Sequence, residues 1–202
     1  MYQYDAVLFD LDGTLLNTLD DLTDALNHTL RLFGHPLRTA DEVRAFVGNG
    51  VRKLVERALP GGAASPDMEA ALAEYQRYYT AHCNLRTHPY DGVLEALTAL
   101  REAGVRLAIV SNKNEEAVQA LARHYFGSLV AAAVGGRHGV PRKPAPDMPL
   151  HALEAVQSIP ERTLFVGDSD VDLDTALQCG MDCMLVSWGF RPREALAALH
   201  AR

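Results

Sequence analysis

The chain has 202 residues, a net charge of −7 and 48% hydrophobic residues, enough for one substantial core plus a smaller accessory unit and too apolar for a disordered chain. The acidic balance argues against a non-specific nucleic-acid binder, and any anionic ligand would have to be met by local cations. Cys83, Cys179 and Cys183 match neither a metal ribbon nor a disulfide framework, so reduced thiols and a cytoplasmic location are expected.

Ala6-Val7-Leu8-Phe9 is a short apolar run that stops at Asp10. It is too brief for a signal peptide or a membrane span and reads as a buried parallel strand. From residue 16 to about 86 no strand is expected. Leu19, Leu22, Leu26, Leu30 and Phe33 recur at spacings of three and four and predict one helical stripe, with Thr18 and Asp21 as a capping box and Gly34 as its stop. Further helices are predicted over 40–47, 50–59 and 66–82, the last opening at Pro66. Beyond these, strands are predicted over 105–110, 129–134, 163–166 and 182–187, alternating with helices over 92–103, 114–124, 146–157 and 170–179. That alternation predicts an α/β class with a parallel, doubly wound sheet. Residues 1–15 and 87–202 would form the sheet unit, and 16–86 a small helical unit inserted after the first strand, with hinges near 14–17 and 84–90.

Four polar clusters fall at predicted strand ends, which share one edge in a parallel sheet. Asp10 and Asp12, two residues apart before Gly13, can supply a nucleophile and a proton carrier. An Asp-Gly turn with incidental acids is the simpler alternative for the pair alone. Ser111-Asn112-Lys113 offers a strand-end hydroxyl and adjacent backbone amides suited to a phosphate oxygen, though the same stretch reads as a polar loop with Asn114 as helix N-cap. Lys143, before Pro144-Ala145-Pro146, is a positioned point charge or simply a solvated loop lysine. Asp168 and Asp172 offer hard oxygen ligands for Mg²⁺, while Asp170 and Asp174 fit an acidic helix start. Together the clusters supply what phosphoryl transfer requires.

Asp10-Leu11-Asp12-Gly13-Thr14-Leu15, Val110-Ser111-Asn112-Lys113, Lys143 and Val166-Gly167-Asp168-Ser169-Asp170-Val171-Asp172, in this order, resemble the four motifs of the haloacid dehalogenase superfamily across almost the whole chain. The resemblance implies a Rossmann-like core with an inserted α-helical cap. It implies that Asp10 is phosphorylated, that Asp12 is general acid/base, and that Ser111 and Lys143 bind the phosphoryl group. It also implies Mg²⁺ held by Asp10, the Asp12 carbonyl and Asp168, with Asp172 acting indirectly. Gly13, Thr14 and Asn112 would line the substrate site.

Residues 47–59 and 88–97 further resemble bacterial phosphoglycolate phosphatases, which implies 2-phosphoglycolate as substrate. Gly48, Asn49 and Gly50, just before a helix, would then meet the substrate carboxylate with help from Arg52; an ordinary glycine turn is the competing reading. Asn17-Thr18 replaces the Asp-Ser often found in relatives, a change expected to touch the hinge and not the nucleophile. The stretch after Phe190 is shorter than in many relatives, so a final element is expected to be missing.

The expected activity is hydrolysis of a small phosphorylated metabolite by a monomer or homodimer. Its rivals are a phosphosugar mutase, a pyrophosphatase and a non-catalytic binding module on the same fold. Tyr75, Tyr78 and Tyr79 are read as packing within the helical unit, and 135–139 as a connecting loop.

Overall fold

The computed structural model describes residues 4–199. Strand β1 (Ala6–Phe9) leads through β2 (Leu16–Asn17) into four helices, α1 (Leu19–Leu32), α2 (Ala40–Phe46), α3 (Val51–Ala58) and α4 (Met68–His82). The chain returns through β3 (His88–Pro89) and then alternates: α5 (Val93–Glu102), β4 (Arg106–Asn114), α6 (Glu115–Tyr125), β5 (Ala132–Gly136), α7 (Asp147–Val156), β6 (Thr163–Gly167), α8 (Asp170–Cys179), β7 (Asp182–Leu185) and the short α9 (Arg193–Ala197). Five strands form a sheet in the order β5-β4-β1-β6-β7, all parallel.

The period-two geometry of a strand explains how so short a segment as β1 anchors the sheet. Val7 and Phe9 face one apolar cluster, with Leu97 of α5 and Val118 and Leu121 of α6. Ala6 and Leu8 face a second, with Met148 and Leu153 of α7 and Ala176 of α8. Both faces are covered, so all four β1 side chains are buried. The first cluster runs on without a break into the helical insertion, through Leu22, Leu26 and Leu30 of α1 and Leu72 and Tyr75 of α4. Gly34, at φ 71, closes α1, as its place after the stripe predicted.

Four expectations need correction. Residues 16–86 are not free of strand: Leu16–Asn17 pairs antiparallel with His88–Pro89, tying the entry and exit of the insertion into one two-stranded ribbon. Gly135 and Gly136 belong to β5 and not to a connecting loop. Strand β4 does not end at Ser111 but runs to Asn114. Four steps along β4, from Val110 to Asn114, match only two along β5, from Val134 to Gly136, so residues 111–113 bulge out of register. Finally, Thr18 and Asp21 make no capping box. The Asp21 carboxylate instead accepts the backbone N–H groups of Leu85, Arg86 and Thr87 at 2.9–3.1 Å and the Thr87 hydroxyl at 2.8 Å. Bridging to the returning chain satisfies three amides where a cap would satisfy one.

No helix among the described residues is long and apolar enough to cross a membrane. Among the described residues the three cysteines are free.

Asp21→Ala is expected to lower unfolding stability by about 3 kcal/mol, because it strands backbone donors that a buried carboxylate now satisfies. Asp21→Asn, which keeps one acceptor oxygen, should fall in between. Urea denaturation of the three proteins checks the ranking.

Candidate active site

At the carboxyl edge of the sheet, β1, β4 and β6 deliver their polar residues to one cavity. Asp10 follows β1, Ser111 and Asn112 sit in the β4 bulge, and Asp168 follows β6; all are buried. Lys143, from the loop before α7, joins them with its side chain only 2% exposed. Its ammonium lies 2.8 Å from Asp10 Oδ1 and 2.7 Å from Asp172 Oδ1, and over the Phe165 ring. Burial opposes a charged lysine, yet the two carboxylates hold Lys143 above the ordinary lysine value and firmly protonated.

One ammonium does not balance three buried carboxylates. Burial pushes Asp10 up to about 7 against the pull of Lys143. Burial, reinforced by Asp172 and Asp10, pushes Asp168 well above the usual carboxylate range. Asp10, Asp168 and Asp172 each offer an oxygen, all within 4.8 Å of one another. Three carboxylates with one ammonium leave two negative charges, the complement of a divalent cation, and an all-oxygen donor set suits Mg²⁺. The donors are not equivalent. Asp172 Oδ2 is filled by the amides of Asp168 and Ser169 and by the Ser169 hydroxyl, while its Oδ1 is filled by Lys143. Asp168 Oδ2 accepts the Phe190 amide at 2.6 Å. Only Asp10 Oδ2 and Asp168 Oδ1 are without hydrogen-bond partners among the described residues, so these two carboxylates could hold the metal directly. Gly13, at φ 86, lets the chain pass beneath Asp168, since a Cβ there would lie 2.3 Å from Asp168 Oδ2.

Asp12 sits across the cavity, less buried than Asp10. Its Oδ1 accepts the Thr18 hydroxyl at 2.6 Å and pairs with Lys113 Nζ at 2.8 Å. Thr18 therefore touches Asp12 itself, so the Asn17-Thr18 replacement reaches beyond the chain segment that leads into α1. Both contacts fall on Oδ1 and leave Oδ2 clear of them.

Asp10, Asp12, Ser111, Asn112, Lys143, Asp168 and Asp172 line one cavity, with Gly48 and Gly50 on its far wall. Asn112 joins the two sides: its amide donates to the Gly48 and Lys143 carbonyls, both at 3.0 Å. Gly13 and Thr14, expected to line the substrate site, are not among the residues that border the cavity; the Thr14 carbonyl accepts the Trp188 indole N–H at 3.1 Å. The structure does not bring Asn49 or Arg52 into the cavity. Asn49 accepts from Arg57 at 2.8 Å, and Arg52 is exposed in a bidentate pair with Glu69 at 2.7 and 2.8 Å.

Sequence reading gave no role to several lining residues, among them Tyr75, Tyr79, Arg191 and Lys113. Lys113 stood in the polar cluster after the second predicted strand, but the out-of-register bulge of β4 decides where its side chain goes. Tyr75 and Tyr79 are one helical turn apart on α4 and line the cavity, so they do more than pack. Arg191 lies beyond the last sheet strand, where no motif marks it. It donates to the Val47 carbonyl at 2.9 Å and pairs with Asp170 at 3.4 Å.

The Haloacid dehalogenase-like hydrolase family model matches residues 7–186. The chain belongs to this family. The hydrolase is 36% identical over 194 residues to a phosphoglycolate phosphatase from Thiobacillus denitrificans, covering 92% of this chain and 84% of that one. It is 36% identical to phosphoglycolate phosphatase 1 of Pseudomonas aeruginosa, covering 95% and 72%. Among solved structures, a Lactobacillus delbrueckii subsp. bulgaricus protein provisionally assigned as a phosphoglycolate phosphatase superposes with a TM-score of 0.93 at 35% identity, covering 100% and 93%. CbbY from Rhodobacter sphaeroides, solved in complex with phosphate, superposes at 0.75 with 26% identity, covering 94% and 88%.

Removing one buried charge from this hydrolase should relieve the repulsion. Asp168→Asn is expected to raise the melting temperature of the metal-free protein; if the three carboxylates hold a divalent cation, the substitution should also abolish the further rise expected of the unsubstituted chain on adding Mg²⁺. Scanning calorimetry with and without Mg²⁺ reads both effects.

Proposed function

We propose that this hydrolase is a Mg²⁺-dependent phosphatase that cleaves small phosphate monoesters, 2-phosphoglycolate foremost, through a phosphorylated Asp10. The observation that carries this reading is the convergence of Asp10 with Ser111, Lys143 and Asp168, each more than a hundred residues further along the chain, on one cavity that Asp12 also lines. The phosphoglycolate phosphatase names of the two bacterial relatives support the choice of substrate.

The Asp10 carboxylate attacks phosphorus as the ester P–O bond breaks, and Asp12 gives its proton to the departing alkoxide. Asp12, now ionised, takes a proton from water as that water attacks the acyl phosphate. Phosphate leaves and Asp10 is regenerated. Throughout, Lys143 keeps Asp10 placed, and the Ser111 hydroxyl with nearby amides holds phosphoryl oxygens. Asp10, Asp168 and the Asp12 carbonyl would hold Mg²⁺, whose charge offsets that gathered on the phosphoryl group, with Asp172 supporting through Lys143. The helical insertion, residues 16–86 in this reading, acts as a cap that keeps bulk water from the acyl phosphate.

Asp10→Asn should abolish turnover, by at least about 10⁴-fold, while the far-ultraviolet circular dichroism spectrum stays that of the parent. Full activity in that variant would overturn the mechanism. A phosphate-release screen over small phosphoesters and pyrophosphate, with and without Mg²⁺, should give strictly Mg²⁺-dependent release with 2-phosphoglycolate leading. Isomerisation of glucose 1-phosphate without phosphate release would establish a mutase instead.

A further inference from the structure

Part of the cavity lining is apolar, from Leu22, Val51 and Leu54. Beside Asp12, one ammonium and two phenols, those of Lys113, Tyr79 and Tyr75, also line the cavity. Lys113 Nζ lies 2.8 Å from Asp12 Oδ1 and 2.7 Å from the Tyr79 hydroxyl. An ammonium has three donors, and among the described residues these two are the only partners of Lys113, so one donor is unspent. The Tyr75 hydroxyl is buried, 2% exposed as a residue, and has no hydrogen-bond partner among the described residues, although Tyr75 lines this cavity. Its ring lies parallel to that of Tyr79, with centroids 5.6 Å apart. A buried phenol without a partner is costly unless a ligand supplies the acceptor.

We propose that Lys113 and Tyr75 together read a carboxylate on the leaving group, Lys113 supplying charge and Tyr75 an orienting hydrogen bond. This rests on the phosphatase reading of the same site and names how it selects its substrate. The argument is one of distance and charge. Asp12 must face the leaving oxygen to protonate it, so an ammonium 2.8 Å from Asp12 reaches only substituents on the first carbons beyond that oxygen. Short phosphorylated 2-hydroxy acids fit; long or neutral alcohols leave the ammonium and the phenol unanswered next to an apolar wall. Burial pushes the Tyr75 phenol well above its ordinary value, so it stays a neutral donor. The Gly48–Gly50 turn, by contrast, contributes backbone to the wall and its Asn49 side chain turns away to Arg57.

The test compares 2-phosphoglycolate with ethyl phosphate, which has the same two-carbon skeleton but no carboxylate. In the full chain with Mg²⁺, Lys113→Met should reduce the ratio of kcat/KM values, 2-phosphoglycolate over ethyl phosphate, by about 100-fold, and Tyr75→Phe by about 10-fold. Lys113→Arg, which keeps the charge, should recover part of the ratio. If Lys113→Met depressed both substrates equally, the lysine would act only through Asp12 and the proposal would fall. Calorimetric binding of both esters in an Asp10→Asn background separates recognition from turnover. A Lys113-dependent preference for 2-phosphoglycolate there, without hydrolysis by the parent chain, would uphold the reader and overturn the phosphatase reading. Loss of preference in neither assay would overturn the reader alone.

Discussion

The arrangement of the site follows from a buried charge that cannot stand alone. Lys143 is almost completely removed from water, and an isolated ammonium there would be expelled or neutralised. It is tolerated because Asp10 and Asp172 arrive from two other elements to face it at 2.8 and 2.7 Å. Each carboxylate is in turn held by the fold. Asp10 sits at the end of the central strand β1, and Asp172 is locked by Ser169 and the amides at the start of α8. The sheet edge, the α8 N-terminus and the loop before α7 are thus fixed relative to one another by a single charged node. That node brings more negative than positive charge into the interior, and the surplus defines what the cavity accepts. It also resolves an apparent conflict. A chain with net charge −7 is a poor prospect for an anionic substrate in bulk terms. Inside the cavity, however, Lys143, Lys113 and Arg191 are among the lining residues, beside three carboxylates that could hold a divalent cation, so the local field is not that of the whole surface.

A second constraint operates at the join between the sheet and the helical insertion. Two chain crossings in close proximity expose backbone donors that must be satisfied. The β2–β3 ribbon satisfies some, and the Asp21 carboxylate satisfies three more. Because the ribbon directly follows the Asp10-Asp12 loop, the same few residues position both carboxylates and the insertion. Thr18 shows the economy of this design: placed to open α1, its hydroxyl is spent on Asp12. On the opposite rim, Asn112 and Arg191 reach from the sheet side to the carbonyls of Gly48 and Val47. These contacts lie at the mouth of the cavity, so the insertion's position over the site is set by polar contacts at its loop as well as by the continuous apolar cluster behind.

Much of the fold was legible in the chain. The strand–helix alternation after residue 87, the Leu19-Leu22-Leu26-Leu30 stripe and the stop at Gly34 depend on local periodicity and backbone freedom, which are properties of neighbouring residues. The members of the charged node were legible too, because strand-end carboxylates, a strand-end hydroxyl and a loop lysine stand out against apolar runs. Other features were not. The β4 bulge depends on its pairing with β5, and the Asp21 bridge on amides more than sixty residues away. Arg52 carries a charge suited to a substrate but turns to Glu69 instead, a choice set by which carboxylate the helix packing brings within reach.

The sequence by itself determined most of the helices and the sheet strands' places in the chain, the α/β class and the polar character of Asp10, Asp12, Ser111, Lys143 and Asp168, since each follows from residue type and short-range spacing. Only the tertiary structure decided which further side chains face the reaction. Lys113 could equally have pointed to solvent from a loop, and Tyr75 and Tyr79 could have been pure packing. They line the cavity because Tyr79 of α4 meets Lys113 of β4 there, and the direction of a side chain is settled by the elements packed against it, not by its neighbours in the chain.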